Sequence, residues 1–164
     1  MTDLSAARFD WYEATADGDD DFRTPSRLAA ALPAVVARRG KGRNGYAECI
    51  QLVRGEDVLA EVYGRSSRVG EVHVAVTSSS CDEVVPTLRR MLAGHRVSRL
   101  DSAIDYAADF AQLDARTVAF AEARGLSHML ITNSDGGATR YVGSPRSEVR
   151  LRLYKKSEQL IAAH

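Results

Sequence analysis

The feature that most constrains this chain is an order of elements that occurs twice. Successive side chains on a strand point to opposite faces, so alternation of apolar and polar residues marks strands. It predicts them over 9–14, 46–53, 58–63 and 72–77, and again over 97–106, 126–132, 139–142 and 148–156. Helices are predicted between them. One spans 25–38, with Thr24 as its cap, Pro25 in its first turn, a bend or break at Pro33 and Gly40 beyond its end. A second follows Asp82, carries Pro86 in its first turn and stops near Gly94. The Ala-, Leu- and Glu-rich segment 107–124, closed by Gly125, is a third, and Ser157 is placed to cap another.

The resulting order is strand, helix, three strands, helix, and then the same again. Short motifs recur in register. Arg8-Phe9-Asp10 opens the first unit as Arg99-Leu100-Asp101 opens the second. Tyr63-Gly64 with Ser66 precedes Glu71 to Val76, much as Val142-Gly143 with Ser144 precedes Glu148 to Leu153. A duplicated βαβββα unit accounts for both observations. The expected fold is therefore α+β: a curved, mostly antiparallel sheet with helices on one face and a pseudo-two-fold axis between halves 1–96 and 97–164.

Charge excludes a globally cationic nucleic-acid binder. Lys plus Arg and Asp plus Glu each number 22, so affinity for a polyanion has to come from local patches. Two exist: a Gly-punctuated loop with Arg38, Arg39, Lys41 and Arg43, and a cationic chain end with Arg140, Arg146, Arg150, Arg152, Lys155 and Lys156. A plainer alternative is a pair of solvated faces. Cys49 and Cys81 lack metal spacing and are read as reduced and structural. No signal-like or membrane-spanning apolar run occurs, so no membrane is expected and a cytoplasmic location is. His73, His95, His128 and His164 are scattered without ligand spacing and receive no role.

Two strands concentrate candidate chemistry. On 97–106, Arg99, Asp101, Ala103 and Asp105 share one face, with Leu100 and Ile104 on the other as the core side. Carboxylates at this spacing, roughly 7 Å per two residues, suit a hard divalent ion or an ordinary solvated face. On the last strand Val149, Leu151 and Leu153 oppose Glu148, Arg150, Arg152, Tyr154 and Lys156. A tyrosine among three cations is placed to meet a phosphate; alternatively it covers the aliphatic stems of its arginine neighbours.

These residues carry a family resemblance. Arg99-Leu-Asp101-Ser-Ala-Ile-Asp105, then Thr139-Arg-Tyr-Val-Gly143-Ser144-Pro-Arg146-Ser147, then Val149-Arg150-Leu-Arg152-Leu-Tyr154-Lys155-Lys156-Ser-Glu158 together resemble the Rep_trans family of rolling-circle initiators and related conjugative relaxases. The resemblance implies an enzyme that nicks single-stranded or extruded origin DNA. The DNA would be left 5′-linked to Tyr154, with Lys156 assisting and a 3′-hydroxyl released as a primer.

The resemblance also implies Asp101, Asp105 and Glu158 as ligands of Mg²⁺ or Mn²⁺. It further implies contacts to DNA through the loop of Gly143, Ser144, Arg146 and Ser147; local positive charge adds Arg99, Arg150, Arg152 and Lys155, and Arg38, Arg39, Lys41 and Arg43, as candidate DNA contacts. Implied partners are origin DNA, a second copy of the chain supplying a second nucleophile, and a host helicase. Family members continue well past this tyrosine, so a C-terminally truncated domain is expected, with nicking confined to the second half. A non-catalytic DNA-binding domain, a conjugative relaxase of the same family and a purely structural fragment stay open.

Overall fold

The computed structural model describes residues 7–19, 21–105, 108–134 and 136–155. They form β1 (Arg8–Ala16), α1 (Thr24–Ala31), β2 (Val36–Lys41), β3 (Glu48–Arg54), β4 (Asp57–Gly64), β5 (Val72–Thr77), α2 (Ser80–Met91), β6 (Arg96–Ala103), α3 (Phe110–Ala123), β7 (His128–Thr132), β8 (Ala138–Val142) and β9 (Leu151–Tyr154). The strands make two antiparallel sheets, a six-stranded one ordered β2-β3-β4-β5-β1-β6 and a three-stranded one ordered β7-β8-β9. An α+β fold of mostly antiparallel strands is therefore what the chain adopts. By compactness it divides after Asp105, because β6 pairs along its length with β1; the expected division at 96/97 follows the sequence repeat instead.

In the first unit, α1 and α2 cover one face of the six-stranded sheet. Leu28, Val84, Val85 and Leu88 of the helices pack with Tyr12, Ala14, Leu52, Val62, Val74 and Val76 of the strands, all buried. Helix α2 sends Val84, Val85 and Leu88 to this face, and places Asp82 and Glu83 in its first turn and Arg89 and Arg90 in its last, each matching the helix dipole. It begins three residues before the expected start, so it runs through Pro86 and forgoes one backbone bond there. His95 closes the end: Nδ1–H donates to the Leu92 carbonyl, which leaves Nε2 to accept the Tyr12 hydroxyl at 2.6 Å.

Three expectations change. Helix α1 breaks ahead of Pro33, one of the two outcomes expected there, but ends at Ala31 and does not resume toward 38, because a residue before proline avoids helical geometry; Leu32 is extended, with φ −112° and ψ 136°. The cap also differs from the Thr24 expected, since the Asp19 carboxylate accepts the backbone N–H of Arg23 and of Thr24. Of the residues read as a basic loop, Arg38, Arg39 and Lys41 belong to the edge strand β2, and edge strands are commonly charged, whereas Arg43 lies in the loop that follows. Gly40 belongs there because a Cβ at that position would lie 2.8 Å from the Cys49 sulfur.

A bulge at Asp10 of β1 breaks the expected parity, so Phe9 packs with the core near Tyr12 while Trp11 and Glu13 take the opposite face. Leu100 and Ile104 of the β6 segment, expected on the core side, are 51% and 44% exposed, because β6 is the last strand of its sheet and α1 and α2 cover its centre.

The second unit is lighter. The Asp109 carboxylate caps α3 by accepting from the Gln112 backbone, and Gly125 ends it with φ 63°. Arg140 of β8 reaches Asp114 of α3 with two bonds of 2.7 and 2.8 Å, so the face of β8 bearing Arg140 and buried Val142 is the helix side. The predicted last strand 148–156 is shorter, Leu151–Tyr154.

Support for the repeat comes from the turns. Ser66 Oγ accepts the Arg68 N–H at 3.1 Å, and Ser144 Oγ accepts the Arg146 N–H at 3.2 Å. The halves part company at β2, which has no counterpart between α3 and β7 among the described residues.

Candidate nucleic-acid interface

The three-stranded sheet carries the tyrosine. Thr139 pairs with Tyr154 and Tyr141 with Arg152, so these four side chains share the face opposite α3. The Arg152 guanidinium lies 5.7 Å from the Tyr154 ring centre, and that of Arg150 lies 4.4 Å from Tyr141. Tyr154 is half-buried and stands on the cationic face, as strand parity predicts. Lys155 follows it; Lys156 and Glu158 lie outside the described residues.

The loop before β9 is a closed turn. Gly143 has φ 93°, its N–H donates to the Ser127 carbonyl at 2.8 Å, and a Cβ there would lie 3.1 Å from the Val149 carbonyl oxygen. The N–H groups of Arg146 and Ser147 go to Ser144. The main-chain N–H groups of Gly143, Arg146 and Ser147 are thus engaged within the protein, and the Arg146 side chain is exposed to meet a phosphate.

The helix-free face of the six-stranded sheet is a connected polar and aromatic surface. Arg99 lies 4.0 Å above the Trp11 ring and grips the Asp101 carboxylate with two nitrogens, at 3.1 and 2.7 Å. Trp11 Nε1 donates to Glu13, Glu13 lies 3.5 Å from the His73 imidazole, and His73 pairs with the Thr15 hydroxyl and stacks on Tyr46. Burial pushes the His73 imidazole below its ordinary value of 6.5, with Glu13 opposing. Burial and a bond to Glu71 push the Tyr46 phenol up to about 12.

Across the sheet, Glu61 accepts from Gln51, Tyr63 and Arg43, while Gln51 accepts from Arg38. Burial works against the Glu61 charge, but these bonds and the Arg43 cation outweigh it and hold the carboxyl below its usual range. The basic residues of β2 divide by parity. Arg38 joins this face, whereas Arg39 and Lys41 point the other way and make no ion pair among the described residues.

The carboxylates expected at a metal are otherwise engaged. Asp101 is held by Arg99, and Asp105 accepts from Arg8 at 3.0 Å. Each carboxylate is thus bound to a guanidinium, with which a divalent ion there would have to compete. No group of three His, Cys, Asp or Glu suited to a metal occurs among the described residues. Cys49 and Cys81 are free and buried, and burial pushes the Cys81 thiol up to about 11, which disfavours the thiolate. No described helix is long and apolar enough to cross a membrane.

The sequence matches no family model and no curated protein. A solved rolling circle replication initiator protein from Geobacillus stearothermophilus superposes with a TM-score of 0.64 at 18% identity, over 96% of this chain and 69% of that one. The chain has the fold of a rolling-circle replication initiator.

Sequence reasoning overlooked most of the open face on that fold. Alternation had placed Trp11 and Glu13 together, but nothing local tied them to Gln51, Glu61, His73 and Thr77, which only the strand order brings alongside.

Proposed function

We propose that this chain nicks one DNA strand to initiate rolling-circle replication, with Tyr154 as the nucleophile. The observation that carries the reading is the likeness of fold over 96% of the chain. Locally it is supported by a tyrosine on the helix-free face of β9 beside Arg152.

In the step, the Tyr154 oxygen bonds to phosphorus as the bond from phosphorus to the 3′ oxygen breaks. The phenol proton passes to solvent and the departing 3′ oxygen takes one up. The phosphotyrosyl ester retains the energy of the broken bond, so attack by the 3′-hydroxyl rejoins the strand without ATP. Arg150 and Arg152 offset charge on the phosphate, and Arg146 and Lys155 hold the adjacent backbone. Lys156 and Glu158 take part on the strength of the sequence pattern alone. A Mg²⁺ or Mn²⁺ ion at Asp101 and Asp105 belongs to this proposal only if Arg99 and Arg8 release them. The substrate is single-stranded or extruded origin DNA; a second copy, with a second tyrosine, and a helicase complete the expected assembly.

A second reading, single-stranded DNA binding without cleavage, is favoured by one observation, the capture of both carboxylates by arginines. The two separate when the chain is incubated with a labelled single strand and Mn²⁺ and resolved on a denaturing gel. Nicking predicts a covalent adduct that Tyr154→Phe abolishes. Salt-sensitive binding with no adduct supports the second reading, and an adduct that survives in Tyr154→Phe removes Tyr154 from the reaction.

A further inference from the structure

We propose that the open face of the six-stranded sheet holds one unpaired nucleobase of the DNA strand in a recess between Trp11 and Arg43. This inference rests on the reading of the chain as a single-stranded DNA protein and assigns that reading a second, non-catalytic contact.

The recess follows from side-chain size along the sheet. On β5 the residues facing away from the helices at its end are small, Ala75 and Thr77; on either side stand Trp11 of β1 and Glu61 and Gln51 of β4 and β3, with Arg43 reaching in over them. The space is about 290 Å³, at the lower limit for small-molecule sites and suited to one flat heterocycle rather than a folded ligand.

Its walls are arranged before anything binds. Trp11 is fixed by its bond to Glu13 and by Arg99, which covers it from the β6 side while the recess lies on the β5 side. Arg99 is in turn anchored by Asp101. The opposite wall is a row of planar hydrogen-bonding groups, Arg38 to Gln51 to Glu61 to Arg43, in which the guanidinium and amide retain donors and the carboxylate retains acceptor capacity. An aromatic wall facing an amide, a carboxylate and a guanidinium is the chemistry that reads a base: stacking on one side and edge hydrogen bonds on the other. A base paired and stacked in a duplex does not reach into such a recess.

The repeat adds a second argument. Aligning the halves sets Thr77 opposite Tyr154, so one half has a floor residue of a recess where the other has its candidate nucleophile. In the copy without a tyrosine the small residue leaves room for a base.

Trp11 is the one tryptophan of the chain, so its fluorescence reports on the recess directly. The full chain is titrated with a mixed-sequence single-stranded oligonucleotide, with the same sequence as a duplex, and with an abasic strand of equal length, while anisotropy of an end label reads binding independently. The expected result is quenching by the single strand and not by the duplex or abasic strand. Trp11→Ala should weaken the single-strand Kd about 5- to 150-fold, the equivalent of roughly 1–3 kcal/mol per stacked base. Thr77→Leu keeps the reporter and fills the floor, and should weaken binding and quenching together, with circular dichroism verifying the fold.

Tight binding of the single strand without quenching, and with Kd unchanged in Thr77→Leu, overturns the recess and leaves the DNA reading standing. Equal quenching by the abasic strand also overturns it. No binding of any strand by anisotropy overturns the DNA reading itself.

Discussion

The two sheets of this chain differ in what covers them. The six-stranded sheet has one face sealed by α1 and α2, with Leu28, Leu52, Val62, Val74, Val84 and Leu88 wholly buried, and its other face is a bonded polar surface. In the three-stranded sheet Met129, Leu130, Ile131 and Leu151 are all more than 40% exposed, and the buried positions of its unit are few, Val142 of β8 and Ala121 of α3 among the described residues. One unit is stabilised by apolar burial, whereas the other leans on a directed contact, Arg140 to Asp114. The candidate nucleophile sits on the lighter unit, where local opening is easier.

Mutations sharpen or break that contrast. The largest effect is expected at the sealed face: Leu88→Ala should lower unfolding free energy by about 2–5 kcal/mol in denaturant titration. Next comes Arg140→Ala, which strands a partly buried Asp114 and should cost about 1–2 kcal/mol, with faster amide exchange confined to α3 and β7–β9. Arg140 now holds the Asp114 carboxyl below its ordinary range, so the same variant should raise that pKa in an NMR titration. Leu130→Ala should cost under about 1 kcal/mol; a loss matching Leu88→Ala would erase the distinction between the sheets.

The smallest effect concerns pH. His73 is held below its unfolded value, so folding favours the neutral ring, and the unfolded chain binds the extra proton. That stability is complete above about pH 6.5 and declines as pH falls through this value toward the folded pKa. Melting temperature should therefore drop on acidification below pH 6.5, and less so in His73→Gln. An unchanged slope would show that Glu13 compensates fully.

Much of this was legible in the sequence because strands and helix ends are local. Gly125, the α3 segment, the β3 to β5 meander and the face of Tyr154 follow from periodicity and turn chemistry. What escaped depends on distant partners. Arg38 and Arg39 read as a loop because a charged edge strand becomes recognisable only when β3 lies beside it. The arginine partner of Asp105 could not be foreseen, because nothing near Asp105 in sequence announces Arg8, 97 residues away. The bulge that turns Phe9 inward left no mark beyond an unremarkable Asp10. Trp11 gains its significance from Thr77 and Glu61, on strands that the order of the chain does not make adjacent.

The central claim, that Tyr154 becomes joined to DNA, is tested most directly by mapping the bond. After incubation with a single-stranded oligonucleotide and Mn²⁺, the protein is digested with nuclease and protease and its peptides are read by mass spectrometry. The account predicts a nucleotide mass on the peptide bearing Tyr154, placed on that residue by fragmentation and missing from Tyr154→Phe. A nucleotide on Tyr141 or any other residue, with Tyr154 unmodified, would contradict it.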